Sequence, residues 1–133
     1  MNIIIGISWP FANGELHIGH AASSLPGDII ARYHRLKGDE VILVSGTDCH
    51  GTPTEVKALQ ENKSPKEIVD DCNVSFAKDF KDFGISFDLY NRTDDPYHKE
   101  FVREQFVKYY NNGYLEEKEE EQLYCDHCKL FLT

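Results

Sequence analysis

Two imidazoles bracket a glycine in His17-Ile18-Gly19-His20, directly after the loop Pro10-Phe11-Ala12-Asn13-Gly14 and the apolar run Ile3-Ile4-Ile5-Gly6-Ile7. The order reads as a short buried strand over residues 3–8, a turn, and the first turn of a helix. Open α/β sheets bind ligands at the carboxyl ends of their strands, and a helix N-terminus there favours phosphate. Two ring N–H groups at such a place can donate to phosphoryl oxygens, and Gly19 lets a ligand approach the backbone. A lone histidine is more often structural than catalytic. A pair spaced in this way at a strand-to-helix turn favours chemistry.

A second cluster follows the next apolar run: Ser45-Gly46-Thr47-Asp48-Cys49-His50-Gly51-Thr52-Pro53. Its place at a strand end puts it beside the first loop, so Asp48 and His20 are expected to share one cleft. Gly46 and Gly51 read as bare backbone where a ligand passes. A carboxylate in a partly dry cleft suits a ligand ammonium, because opposite charges attract more strongly there than in water. An isolated aspartate would more often shape a turn; its pairing with the histidine cluster favours binding.

The elements that must position these groups alternate along the chain. A helix opens over residues 18–25 and is expected to break at Pro26-Gly27. Helical spacing resumes over Asp28 to Lys37, with Ile29, Ile30, Tyr33 and Leu36 on one side and Arg32 and Arg35 on the other. Gly38 suits the left-handed residue that closes a helix. The unbroken run Val41-Ile42-Leu43-Val44 predicts a strand covered on both faces, and strand–helix–strand implies a right-handed crossover to a parallel partner. Ser64-Pro65-Lys66-Glu67 has the signature of a helix start, a serine cap with a glutamate that reaches back to it. Ile68, Cys72, Phe76, Phe80 and Phe83 then recur at helical spacing and read as core rather than as a cofactor face, until Gly84 stops the helix. Residues 87–90 predict a third strand. Asp95-Pro96 begins a last helix, carrying Tyr97, Phe101, Val102, Phe106, Tyr109 and Tyr110, that ends at Asn112-Gly113. A boundary is expected near Gly113-Tyr114, where a charged run begins.

His17-Ile18-Gly19-His20 resembles the HIGH signature of class I aminoacyl-tRNA synthetases. The stretch Trp9-Pro10-Phe11-Ala12-Asn13-Gly14, the block Gly46-Thr47-Asp48-Cys49-His50-Gly51 and the segment Ala31 to Gly38 are similar to the methionyl branch of that class. The resemblance runs over essentially the whole chain. It implies an α/β, Rossmann-like nucleotide-binding fold with a parallel sheet, of which residues 1–113 are the first half, and residues 114–133 the start of a connective zinc-knuckle insertion. It implies a ligase that activates methionine with ATP and passes the acyl group to tRNA, with Mg²⁺ accompanying the nucleotide. His17 and His20 are then the catalytic pair, and Asn13, His17, Gly19 and His20 bind ATP. Asp48 holds the amino group of methionine, while Ser8, Trp9 and Phe11 line up with residues that contact its side chain. Trp9 stands where leucine is expected and narrows that pocket; Phe11 stands where tyrosine is expected and removes a hydroxyl. Cys49 departs from the usual glutamate or alanine. The second reading is a synthetase-like paralogue that binds a nucleotide or a protein partner without charging tRNA.

Cys125-Asp126-His127-Cys128 is half of a zinc site or a redox pair by spacing. It does not open a helix in a βαβ unit, which disfavours redox. Zinc needs four ligands, and Cys125 and Cys128 supply two, so any Zn²⁺ is expected in a longer protein.

With 133 residues the chain can bury one core of ordinary size. Class I synthetases are several times longer, and no lysine-rich Lys-Met-Ser-Lys-Ser type loop occurs in this sequence, so it reads as a piece that is inactive alone. The absent half of the sheet would leave an apolar edge that favours self-association. Charged residues make up 28% of the chain and no apolar run approaches the ~20 residues that span a bilayer. The net charge of −9 disfavours a general nucleic-acid surface, and much of it lies in the solvated run Glu116 to Glu121. Four cysteines without a disulfide pattern and a start unlike a signal peptide fit a cytoplasmic protein.

Overall fold

A computed structural model of the chain describes residues 1–127 and 129–131. It divides into two compact units, Met1–Thr93 and Asp94–Thr133.

In the first unit β1 (Asn2–Gly6), β2 (Glu40–Thr47) and β3 (Leu89–Arg92) form a parallel sheet in the order β1-β2-β3, with Ile5 opposite Leu43 and Ser45 opposite Tyr90. The helices are α1 (Ile18–Leu36), α2 (Thr52–Glu61) and α3 (Pro65–Asp82). The parallel crossover read from the sequence is therefore present, with a third parallel strand beside it.

Pro26 does not break α1. The helix runs through it, turning Ser24, Asp28 and Ala31 onto the sheet. The packing explains the continuity: a Cβ on Gly27 would lie 2.8 Å from Cδ1 and Cγ1 of Ile7, so this glycine marks close helix–strand approach rather than a stop. The side of α1 that looked apolar is the outer one, with Ile29 57% and Leu36 89% exposed. The buried Asp28 is satisfied instead, accepting from the Ser86 N–H (2.7 Å), the Ser86 hydroxyl and Arg32 Nε (2.6 Å). Gly38 has φ +83° and closes the helix as expected.

The strand at residues 41–44, expected to be covered on both faces, is covered on one. Strand alternation puts Leu43 and Ser45 on the helical face, where both are buried, and Ile4 and Ile42 on the opposite face, where they are 75% and 50% exposed. Under the covered face, α3 supplies Ile68, Val69, Phe76 and Phe80. Phe80 meets Phe87 edge-on at 5.5 Å between ring centroids. Phe83, expected on that stripe, is 53% exposed at the helix end. The α3 capping box forms as read: the Ser64 N–H donates to Glu67 at 2.8 Å, and Ser64 Oγ accepts from the Glu67 N–H.

In the second unit α4 (Pro96–Asn111) starts at the Asp95 cap and buries no residue. A short antiparallel hairpin of β4 (Tyr124–Cys125) and β5 (Leu130–Phe131) follows. Among the described residues no helix is long and apolar enough to cross a membrane.

Candidate active site at the strand ends

Beyond β1 the chain stays paired with the end of β2. The Ile7 N–H donates to the Val44 carbonyl (3.0 Å), the Asp48 N–H to Pro10 (2.9 Å) and the Ala12 N–H to Asp48 (2.9 Å). The buried Thr54 hydroxyl, in the first turn of α2, donates to the Ala12 carbonyl at 3.0 Å. The loop of residues 10–12, which leads to the histidine turn, is thus joined to Asp48 by main-chain bonds.

His17 caps α1 in an extended conformation, with φ −128° and ψ 174°. Its Nδ1 accepts from the Gly19 N–H at 3.1 Å, and its own N–H donates to Nδ1 of His20 at 3.1 Å. The pair is a capping box built from imidazoles, with ring centroids 4.0 Å apart. Because each Nδ1 accepts, each neutral ring carries its proton on Nε2. Both rings are therefore prepared to donate from Nε2 at a helix N-terminus. Burial, and then the neighbouring His17, lower the pKa of His20 and keep it neutral. Gly19 has a local reason too: a Cβ there would lie 2.8 Å from Cε1 of His17.

Asp48 is half-buried at the end of β2, and its Oδ1 meets the Thr93 hydroxyl at 3.4 Å and the His50 N–H at 3.5 Å. The second contact is the turn geometry weighed in the sequence, at a length where hydrogen bonds are weak. Just below, Thr47 donates to Asn73 Oδ1 at 2.8 Å and stands 3.1 Å from the Tyr90 hydroxyl. Thr47 has one proton, so Tyr90 is the donor to it. Burial pushes the Tyr90 pKa up to about 12, against the hydrogen bond to Thr47, which keeps the phenol protonated for this task.

Trp9 covers the end of β2: a Cβ on Gly46 would lie 2.5 Å from Trp9 Cζ3 and closer still to the Asn91 carbonyl oxygen. The Gly46 space is thus filled by the protein's own groups, not left for a ligand. Gly51, with φ +133°, precedes α2. Phe11 pairs with Asp48 in an isolated parallel bridge and is 51% exposed. Ser8 is exposed, and its carbonyl accepts from Ser45 Oγ at 3.5 Å. Asn13 is exposed, with its N–H bonded to the Phe11 carbonyl at 2.9 Å. Cys49 is buried, its Sγ 3.3 Å from the Thr47 carbonyl.

Sequence reasoning missed Thr93, Thr54 and the Thr47–Asn73–Tyr90 chain. Thr93 had one available signal: it directly follows a parallel strand, at the end where ligands bind. Cys125 ends β4, its carbonyl accepting from the Lys129 N–H at 2.8 Å; Cys128 lies outside the described residues. Among the described residues no group of three His, Cys, Asp or Glu side chains could hold a metal ion.

The family described as tRNA synthetases class I (M) matches residues 3–133. The chain belongs to that family. Within the class I synthetases it is 53% identical over 132 residues to methionine–tRNA ligase 1 of Alkaliphilus oremlandii (strain OhILAs) and 53% identical to the methionine–tRNA ligase of Streptococcus pneumoniae (strain CGSP14). The ligase of Bacillus cereus (strain B4264) is 48% identical. Each match takes in 99% of this chain but 24% of the relative, so the chain spans about a quarter of their length. Among solved synthetases, Mycobacterium tuberculosis methionyl-tRNA synthetase in complex with methionyl-adenylate superposes with a TM-score of 0.82 at 27% identity, covering 84% of this chain and 22% of that one. The paralogue reading finds no support among these relatives.

Proposed function

We propose that a protein carrying this chain is a methionine–tRNA ligase, which forms methionyl-adenylate from methionine and ATP and transfers the acyl group to tRNA in the cytoplasm. The observation that carries the reading is the reciprocal histidine cap, with two Nε2 donors at the start of α1. In the first step a methionine carboxylate oxygen attacks the α-phosphorus; a new P–O bond forms and the bond to pyrophosphate breaks. His17 and His20 donate to the phosphoryl oxygens as charge gathers on them, the kind of stabilisation worth about 10²–10³ in rate per donor. Gly19 and Asn13 belong to the same ATP-binding turn. Asp48 accepts the α-ammonium, and Ser8, Trp9 and Phe11 face the methionine side chain. Residues 1–113 form the first half of the catalytic domain, and residues 114–133 begin an insertion. Alone, the chain forms no adenylate, and its open apolar sheet edge favours self-association.

Mg²⁺ neutralises phosphate charge when bound with ATP; the described residues offer no cluster of donors for it. For Zn²⁺, Cys125 and Cys128 would supply two of the four ligands of a tetrahedral site, the others coming from elsewhere in a longer protein; Cys128 lies outside the described residues.

The test is methionine-dependent ATP–pyrophosphate exchange by a full-length protein containing these residues. In that protein Asp48→Ala should weaken methionine about a hundredfold by loss of a desolvated partner, and hardly affect an analogue lacking the amino group. Equal losses for both ligands would give Asp48 a loop-holding role only.

A further inference from the structure

Thr93 stands immediately after β3 and grips successive residues of the neighbouring strand end. Its N–H donates to the Thr47 carbonyl at 3.1 Å, its Oγ1 accepts the Cys49 N–H at 2.8 Å, and its hydroxyl meets Asp48 Oδ1 at 3.4 Å. A threonine hydroxyl has a single proton and two lone pairs. The Cys49 N–H occupies a lone pair, so the proton is available to the carboxylate and the direction of the contact is fixed. The His50 N–H falls on the same oxygen at 3.5 Å. Among the described residues both hydrogen bonds to the Asp48 carboxylate thus fall on Oδ1.

The support under this clamp is stiff. Thr47 is fully buried, tied to Asn73 and Tyr90, and Gly46 lies against the main chain of Asn91, so the ends of β2 and β3 cannot slide apart without breaking several contacts at once. Contacts of 3.4 and 3.5 Å bias the plane of this carboxylate before a ligand arrives, whereas an aspartate side chain without them would be ordered by its ligand alone.

We infer that Thr93 is the positioning residue for Asp48: its hydroxyl orients the carboxylate toward an α-ammonium group and so favours amino acids over their deaminated analogues. The inference rests on the reading of Asp48 given above. Thr93 need not touch the amino acid itself, so it acts only through Asp48.

The experiment uses the full-length protein, with L-methionine and 4-(methylsulfanyl)butanoate, its deaminated analogue, as ligands in calorimetric titrations, and exchange kinetics alongside. T93V should weaken methionine about tenfold, the scale of one hydrogen bond to a charged group, while the analogue changes less than about twofold by the same scale. T93S, which keeps the hydroxyl, should restore wild-type selectivity. In a D48N background T93V should add nothing, because the group it orients has lost its charge. If T93V proves insoluble, T93A gives the same ratio of affinities. Equal weakening of both ligands, no weakening of either, or an undiminished effect in the D48N background would overturn the inference. Wild type inactive with methionine would instead overturn the activity reading and this inference with it. An active wild type whose affinity survives D48N would overturn the role of Asp48, and Thr93's with it.

Discussion

Gly27 and Ile7 meet where α1 crosses the sheet, so closely that a Cβ on Gly27 would lie 2.8 Å from two side-chain carbons of Ile7. Its neighbour Pro26 is exposed and inside the same helix.

Adjacent substitutions should therefore act in opposite directions. Pro26→Ala restores an N–H to the helix and should stabilise the fold by about 1–3 kcal/mol, since a helix-interior proline costs roughly 3 kcal/mol and returns part of that through the unfolded chain. Gly27→Ala forces α1 off β1 and should cost about 1–3 kcal/mol by overpacking. Denaturant unfolding of the two variants checks both signs.

Gly46→Ala should be more severe than Gly38→Ala. At Gly46 the added carbon meets the Asn91 main chain and the Trp9 ring, whereas at Gly38 it meets nothing within 4 Å and only the φ of +83° opposes it. The second change should cost about 1 kcal/mol; the first should separate β2 from β3 and show as lost solubility or a broadened thermal transition.

Acid should weaken the fold through two aspartates. Hydrogen bonds from His34 and then from the N-terminal ammonium hold Asp39 at about 2, below its ordinary 3.8. At Asp28 burial pushes upward, but Ser86 and Arg32 outweigh it and leave the carboxyl below the ordinary value. A depressed carboxylate pKa gives stability that is present above the unfolded value and lost as pH falls through the folded one. Asp39→Asn should thus lower stability at pH 6, and the difference from wild type should close between pH ~4 and ~2. A difference that persisted in acid would mean that the effect is not ionic.

His20→Ala in the full-length protein should slow adenylate formation about 10²-fold or more while leaving methionine affinity nearly unchanged. The same change removes the acceptor for the His17 N–H, with a helix-capping cost of about 0.5–2 kcal/mol. Single-turnover kinetics with calorimetric methionine titration separates the two effects.

The helix α3 was legible because its start and its core stripe are both local: Ser64 and Glu67 meet within one turn, and Ile68, Cys72, Phe76 and Phe80 repeat at helical spacing. α2 went unread because only Thr54 and Ala58 of its residues are buried, which leaves no apolar rhythm; Pro53 and Glu55 in its first turn were the signals available. α1 misled for a different reason. The sheet selected its small and polar residues for close approach, and Asp28 is tolerated there only because Ser86, distant in sequence, arrives to meet it. The histidine and aspartate clusters were visible as motifs. Thr93 was not, since a single threonine acquires its role only when β3 comes to lie beside β2.

The spatial order of the strands, β1 then β2 then β3, is also their order of synthesis. β2 can therefore pair with β1, and β3 with β2, in the order in which they are made, and within this sheet no strand has to be inserted between two earlier ones. The long-range pairings that slow parallel sheets are met here one at a time. The loop leading to the histidine turn is joined to Asp48 when β2 docks, and the contact of Thr93 with Asp48 forms when β3 comes to lie behind it.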